Sequence, residues 1–430
     1  MKDYTRSDLA KAVAYFTDKL NSDTFEDNTK RIGVAFGNLS FLNLAFMLAL
    51  QKCQKEFALV YHIDMDFERR REFFSHMYIT GAFGDPYYDE GAAKNLGQNR
   101  MLSLLNKKHY TVTDTKYHEN NALNYHREDD LEIDFSDDRK TYIQVTDRQT
   151  EEQKYNLLYP TGKIESSCIA AAIQHYTDAE GTYIFYRPFH HLGVGTLSIY
   201  PAVFNASNII LCSYKEHWDL EYQNADHVHV SQSMISQEWP MPPKIKSLTT
   251  GGYNFNSDCI NYVTARSDVD VIVDCFGTAQ LPPPMAIRTL HDPKTNKEWS
   301  PFKWINPFVN YKIVNYQMVY STTDGDIFSE LPNTFGGKIV GYDHVTDAGE
   351  NQFNFHGPLG DIIRMSHIRT EVPEFIKLFK EYSGIGNLQI TMEVIDGIKN
   401  PVVIVPKGTL NHAILVGKKY HIEAKFKEKE

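Results

Sequence analysis

Between Arg31 and Ile63 the sequence reads strand, helix, strand. Arg31-Ile-Gly-Val-Ala-Phe36 is a short β-like run. Gly37-Asn38 turns it, and Asn38 or Ser40 can cap the helix that follows. Phe41, Leu44, Ala45, Leu48 and Ala49 then fall on one helical face. Phe57-Ala-Leu-Val-Tyr-His-Ile63 is the second strand. Joints this short favour a crossover between parallel strands, and so an α/β fold.

The same alternation returns further on. Thr141–Thr146 reads as a strand, Ser166–His175 as a helix rich in Ala and Ile, and Thr182–Tyr186 as a strand. Gly195–Phe204 reads as a helix, and Asn208–Ser213, Asp226–Val230 and Val269–Asp274 as strands, the last strongly β-branched. Residues 281–300, opened by Pro282-Pro283-Pro284, read as a connection. From 305 to 365, short alternating runs and Gly-rich turns predict antiparallel strands. The last 65 residues predict a helix at Glu371–Tyr382 and strands at Gln389–Val394 and Val402–Val405. The organisation expected is a large α/β domain over 1–365 and a small α+β appendage over 366–430.

At 430 residues the chain is long enough for two or three domains, and 42% apolar with 23% charged residues is a globular composition. A net charge of −11 speaks against nucleic acid as a partner, because phosphates are met by a basic face. The most apolar run, Phe41–Leu50, is broken by Asn43 and falls far short of the roughly 20 residues that cross a bilayer. No apolar core follows the charged start Met-Lys-Asp-Tyr-Thr-Arg, so no secretory leader is read and a cytoplasmic protein is expected. Cys53, Cys168, Cys212, Cys259 and Cys275 are widely spaced without a Cys-x-x-Cys pair. They read as free thiols of a reducing compartment.

Local patterns alone specify little chemistry. Gly33-x-x-x-Gly37 follows a strand but lacks the spacing of a dinucleotide loop. His227-Val228-His229 puts two imidazoles on one face of a strand, yet no third ligand is fixed by spacing. A surface or hydrogen-bonded pair is expected there, not zinc. His190-His191 closes a strand in a turn; adjacent side chains diverge, so they cannot share a metal, although one can face a cleft. The charge-dense run Arg127–Lys140 reads as a solvated loop or edge.

Motif order is more informative. The chain offers Thr146-Asp-Arg-Gln-Thr-Glu-Glu-Gln-Lys154, Pro188-Phe-His-His-Leu-Gly193, Thr250-Gly-Gly-Tyr-Asn-Phe255, Phe276-Gly-Thr-Ala-Gln280 and Phe355-His-Gly-Pro-Leu-Gly-Asp361. In this order, over residues 25–365, it resembles the adenylate-forming superfamily of acyl- and aryl-CoA synthetases, adenylation domains and beetle luciferases. The resemblance implies a large domain of parallel α/β subdomains plus an antiparallel β region, with a small C-terminal α+β domain. It implies ATP or AMP and Mg2+ as cofactors. The substrate would be a small carboxylic acid, activated as its adenylate and passed to a thiol or amine acceptor. It also implies roles for individual residues. Gly251, Gly252 and Phe276 would lie against adenine, with Gly277 beside them. Thr278 would touch the α-phosphate, Asp361 the ribose hydroxyls and His191 the acyl side. Thr146, Thr150 and Lys154 would take the place of the phosphate loop, Lys154 reaching pyrophosphate.

The departures from the family pattern are concentrated at the phosphates. Both loop glycines are replaced, by Arg148 and Glu151, and Glu151-Glu152 sets two negative charges where a triphosphate belongs. A second register, Tyr159-Pro-Thr-Gly-Lys163, keeps a Gly and a Lys but shortens the interval to His191. Gln280 stands where the family has a magnesium-binding Glu. Pro406-Lys407-Gly-Thr-Leu-Asn-His412 either resembles the family's late lysine motif, with His412 in the lysine position, or is a turn between two strands. Three readings follow: an AMP-forming ligase, a catalytically degenerate relative that binds or supports, and an unrelated α/β nucleotide or sugar enzyme.

Overall fold

A computed structural model describes residues 3–21, 32–35, 41–53, 57–59, 81–84, 115–131, 142–144, 158–159, 181–186, 202–203, 208–212, 215–231, 234–235, 237–251, 255–277, 284–306, 309–322, 339–340, 343–358, 362–365, 368–395, 398–419 and 422–429. The chain forms two compact units. The first takes Met1–Val145, Leu157–His229 and Gln280–Pro284, and the second Thr146–Asn156, Val230–Ala279 and Met285–Glu430.

The first unit opens with α1 (Arg6–Asn21), β1 (Ile32–Ala35), α2 (Phe41–Lys52), β2 (Phe57–Leu59) and β3 (Gly81–Gly84). Then come α3 (Thr115–Leu123), β4 (Tyr142–Gln144) and β5 (Leu158–Tyr159). Their sheet runs β3-β1-β2-β4-β5. β1 pairs in parallel with β2 and β3, and β2 in parallel with β4. The crossover read between residues 31 and 63 is therefore present. α2 is more deeply embedded than a single apolar face implies: Leu42 to Leu50 are all buried, Asn43 included. α1 covers it, with Phe16 edge-on to Phe46 at 5.3 Å and Tyr4 stacked on Phe41 at 3.9 Å. The described start of the acidic run behaves as a solvated face, where Arg127 bridges Asp18 at 2.9 Å and Asp129 at 3.3 Å.

β6 (Thr182–Phe185), β7 (Asn208–Leu211), α4 (Lys215–Glu221), the 3₁₀ turn Tyr222–Asn224 and β8 (His227–His229) complete this unit. β6 pairs in parallel with both β7 and β8. Ala202 and Val203 are buried, while the remainder of the helices read at 166–175 and 195–204 lies outside the described residues. The His227/His229 pair is not on the surface. Both rings are buried, and His227 stacks on Tyr183 at 4.2 Å. Gly181, at φ +147°, makes room: a Cβ there would lie 2.8 Å from His227 Nε2. Packing against Tyr183, not solvent, surrounds the His227 ring.

The second unit begins with β9 (Lys244–Gly251), α5 (Ser257–Thr264), β10 (Asp268–Phe276), β11 (Ala286–His291) and β12 (Phe302–Trp304). β9 and β10 are parallel, with α5 as their crossover, its first turn capped by Asn256 accepting from the Cys259 amide. β11 corrects the reading of 281–300 as a connection. It pairs antiparallel with β10 from Val271↔His291 to Phe276↔Ala286. The triple proline masks the strand, and Arg288 at its centre looks like a surface residue until its partner is known.

Antiparallel pairing then dominates, as expected for 305–365. β13 (Val309–Val314), β14 (Gln317–Thr322) and β15 (Ile339–Val340) make one sheet. β16 (Asp343–Gly349) and β17 (Gln352–Pro358) extend the β12 edge. The rest is β18 (Ile362–Met365), β19 (Ile368–Glu371), α6 (Val372–Ser383), β20 (Gln389–Ile395), β21 (Ile398–Val405), α7 (Leu410–Lys419), β22 (Ile422–Glu423) and β23 (Lys425–Glu428). These share an apolar core that includes Phe375, Phe379, Val403, Val405 and Ala413. The stretch from Pro406 is a turn followed by a helix, not a turn between strands. Thr409 hydroxyl donates to the Pro406 carbonyl at 2.6 Å, and α7 starts at Leu410.

Candidate functional site

The described residues bring together two of the motif stretches. Gly251 ends β9, and Phe276 ends the parallel strand beside it. The register is Gly251↔Cys275. Carboxyl ends of adjacent parallel strands are where α/β folds leave room for ligands. Gly251 is required by this pairing: a Cβ would sit 2.8 Å from the Cys275 carbonyl oxygen and 3.1 Å from its Cβ. Of the proposed site residues, Gly251, Phe276 and Gly277 lie within the described residues. Lys154, Thr278, His191, Thr146, Thr150, Gly252, Gln280 and Asp361 lie outside them.

Phe276 is built into an aromatic cluster. Its ring is 7% exposed and meets Phe302 at 5.7 Å, Phe353 at 5.2 Å and Phe355 at 6.3 Å, all edge-on. Met285 amide donates to the Phe276 carbonyl at 2.8 Å, closing β11 onto the strand end.

Beneath the strand end lies a buried ion pair that sequence reasoning missed. Asp274 on β10 faces Arg288 on β11, and both are nearly sealed from water. Arg288 Nη2 reaches Asp274 Oδ2 at 2.7 Å, and Nε donates to the same oxygen at 2.8 Å. The guanidinium also lies over Trp299, 4.4 Å from the ring centre, and over Phe302 at 4.6 Å. A weakly hydrated, planar cation suits this place between rings better than an ammonium would. Burial raises the Asp274 carboxyl above the usual carboxylate range, against the pull of Arg288 and the Cys275 amide. Trp299 in turn meets Phe255 edge-on at 6.5 Å. Phe255 ends the Gly-Gly-Tyr-Asn-Phe stretch, so Phe255 and Phe276 belong to one packed group around this cation.

No linear signal gives the Asp274–Arg288 pair away, because its members sit on neighbouring strands joined through 277–285.

Among the described residues no group of three or more His, Cys, Asp or Glu could hold a metal ion. No helix there is long and apolar enough to cross a membrane.

No protein-family model matches the sequence, and no curated protein matches it. Solved structures do match. ATP-bound MatB from Rhodopseudomonas palustris superposes with a TM-score of 0.64 at 10% identity, over 98% of this chain and 88% of that one. The amide bond synthetase McbA from Marinactinospora thermotolerans gives 0.62 at 13%, over 98% and 90%. The o-succinylbenzoate CoA synthetase MenE from Bacillus subtilis, in complex with its acyl-adenylate intermediate, gives 0.60 at 11%, over 98% and 88%. The chain has the adenylate-forming fold. That fold, a mixed α/β body with a separate small sheet at the C-terminus, is the one the motif order led us to expect.

Proposed function

We propose that this adenylate-forming fold binds a nucleotide at the carboxyl ends of β9 and β10 and serves an AMP-forming ligase. A carboxylate would attack the ATP α-phosphate, giving an acyl-adenylate and pyrophosphate, and a thiol or amine would then take the acyl group. The observation that carries this reading is the Gly251↔Cys275 approach, which sets Thr250-Gly251, the start of one motif stretch, beside the end of the strand that leads into the other. The order of those stretches is the family's, and the fold comparisons support it.

Phe276 fits a nucleoside as the wall behind the site. With three phenylalanines on its ring, an adenine would meet only its exposed rim. Thr278 and Asp361 would complete the contacts to α-phosphate and ribose, His191 the acyl side, and Thr146, Thr150 and Lys154 the leaving phosphates. Magnesium fits poorly. Gln280 offers a neutral oxygen where a hard cation prefers a carboxylate.

The second reading, a degenerate relative that binds AMP or acts as a scaffold, is favoured by one feature. Arg148 and Glu151 replace both loop glycines, and Glu151-Glu152 repels a polyanion.

One pair of measurements separates the two. Exchange of labelled pyrophosphate into ATP, screened over fatty, aryl and amino acids, reports adenylation. Calorimetry with AMP and ATP, with and without Mg2+, reports the phosphate half of the site. Exchange with one acid that Asp361→Ala abolishes establishes the ligase. AMP binding as well as ATP, with no exchange, establishes the relative. Failure to bind either nucleotide overturns the ligase and leaves only the scaffold form of the second reading.

A further inference from the structure

The hairpin of β16 and β17 carries an arrangement that the ligase reading does not use. Val345↔Phe355 and Thr346↔Asn354 are cross-strand partners, and a bulge between Asp343 and Val345 shifts the register beside His344 and His356. Val345 and Phe353 are buried, which turns His344, Thr346 and His356 to the other face, where each is half-buried. The two imidazole centres are 5.0 Å apart, with the rings tilted by 42°. Thr346 Oγ1 lies 2.8 Å from His356 Nε2. Tyr316 packs edge-on against His344 at 5.0 Å, and its carbonyl accepts from the Val345 amide at 2.8 Å. Both rings are thus held by neighbours.

That separation has a chemical meaning. Zinc–nitrogen bonds of about 2.1 Å, with each ring centre about 1.2 Å further out, put two imidazoles on one tetrahedral ion about 5.3 Å apart. We propose that His344 and His356 form a two-imidazole site for a borderline divalent transition metal, Zn2+, Ni2+ or Cu2+, with water in the remaining positions. The tautomer that donates from His356 Nε2 to Thr346 leaves Nδ1 bare as the ligating nitrogen, the usual division of labour in a metal-bound histidine. Thr346 is a positioning residue here. Imidazole pairs select against hard cations, so Mg2+ is not a ligand. The site is independent of the ligase reading, and its test does not use catalysis.

The experiment is calorimetry on the chelator-treated full chain with Zn2+, Ni2+, Cu2+ and Mg2+, joined to electron paramagnetic resonance of the Cu2+ complex. Cu2+ should bind more tightly than Ni2+ or Zn2+, and Mg2+ not at all. His344→Gln and His356→Gln should each weaken Zn2+ by about tenfold or more, and Thr346→Val by about tenfold, while exposed His217→Gln leaves it unchanged. The Cu2+ spectrum should show two nitrogen ligands in the parent and one in each histidine variant. Thermal melting without metal confirms that the variants fold, and added Zn2+ should raise the Tm of the parent and of His217→Gln more than that of His344→Gln or His356→Gln. Unchanged Zn2+ affinity in both histidine variants, or a Cu2+ spectrum without their nitrogens, would overturn the site.

Discussion

The helical layer of the first unit and the β9–β10–β11 end of the second are both sealed from water, but different forces hold them. α1 and α2 meet through Phe16 and Phe46, and Val13 and Leu48 are buried on the same helices, apolar side chains with nothing to satisfy but volume. The strand end holds Asp274 and Arg288 among Trp299, Phe302 and Phe276, where charge, ring and hydrogen bond each have one acceptable geometry. Burial of apolar surface is tolerant of shape within limits. A buried ion pair is not, since removing one partner strands the other in a medium that cannot solvate it. Directional packing holds the strand end, and undirected packing the Phe16–Phe46 contact of α1 and α2.

The largest expected effect comes from splitting the pair. Arg288→Met or Asp274→Leu alone should each cost about 3–5 kcal/mol, read from the denaturant midpoint. The double variant should recover most of that loss, because no buried charge remains. Additive losses would show that the rings, not the charges, hold the strand end. Leu48 in α2 sharpens the contrast. Leu48→Ala should cost about 2–5 kcal/mol through its cavity, but Leu48→Met less than about 1.5 kcal/mol. Asp274→Asn, also a near-isosteric change, should fall with the large effects. Equal tolerance at both positions would erase the distinction between the two regions.

Two glycines test backbone approach in the same way. At Gly251 a methyl meets the Cys275 carbonyl, part of the β10 backbone, which cannot move without breaking the ladder. Gly251→Ala should cost about 1–3 kcal/mol by overpacking and reduce AMP binding in the same calorimetric assay. At Gly417 in α7 the obstacle is the edge of the Phe426 ring, 2.6 Å away, which is the far end of a side chain. Alanine there gains helix propensity of roughly 1 kcal/mol against that contact, so the net loss should be smaller. A Gly417→Ala variant less stable than Gly251→Ala would mean that Phe426 is as fixed as a strand.

The two regions also differ in how far sequence discloses them. The β1–α2–β2 crossover is legible because strand and helix periods are local and its joints are short. α1 is equally local, with Leu9, Val13, Phe16 and Leu20 at helical spacing behind Thr5-x-x-Asp8, but charges at the N-terminus draw attention away from it. Thr5 and Asp8 cap each other, Asp8 amide to Thr5 Oγ1 at 3.1 Å and Thr5 amide to Asp8 Oδ2 at 2.8 Å. Thr5→Ala should therefore lower stability by about 1 kcal/mol. At the strand end, motif order discloses Gly251 and Phe276, which lie in continuous stretches. It cannot disclose Arg288, whose meaning depends on a residue on another strand and two rings further along. For His227 and His229 the surface alternative fails for the same reason: at His227 the burial comes with Tyr183 and Gly181, which are distant in sequence.

The smallest effect isolates water as the cause of the difference. Lys215 and Asp219 in α4 form an ion pair one helical turn apart, Nζ to Oδ1 at 2.7 Å, about as short as the Arg288–Asp274 contacts. Both side chains are about two-fifths exposed, whereas those of Arg288 and Asp274 are less than a tenth exposed. Solvent screens the exposed charges and re-solvates whichever partner remains, so Lys215→Ala or Asp219→Ala should lose only about 0.3–0.5 kcal/mol. Raising the salt to 1 M, where screening acts within about 3 Å, should remove even that and leave the cost of splitting Asp274–Arg288 almost unchanged. Equal salt sensitivity in the two pairs would mean that water reaches the strand end, and the rings over Arg288 would then not be the seal that separates one region from the other.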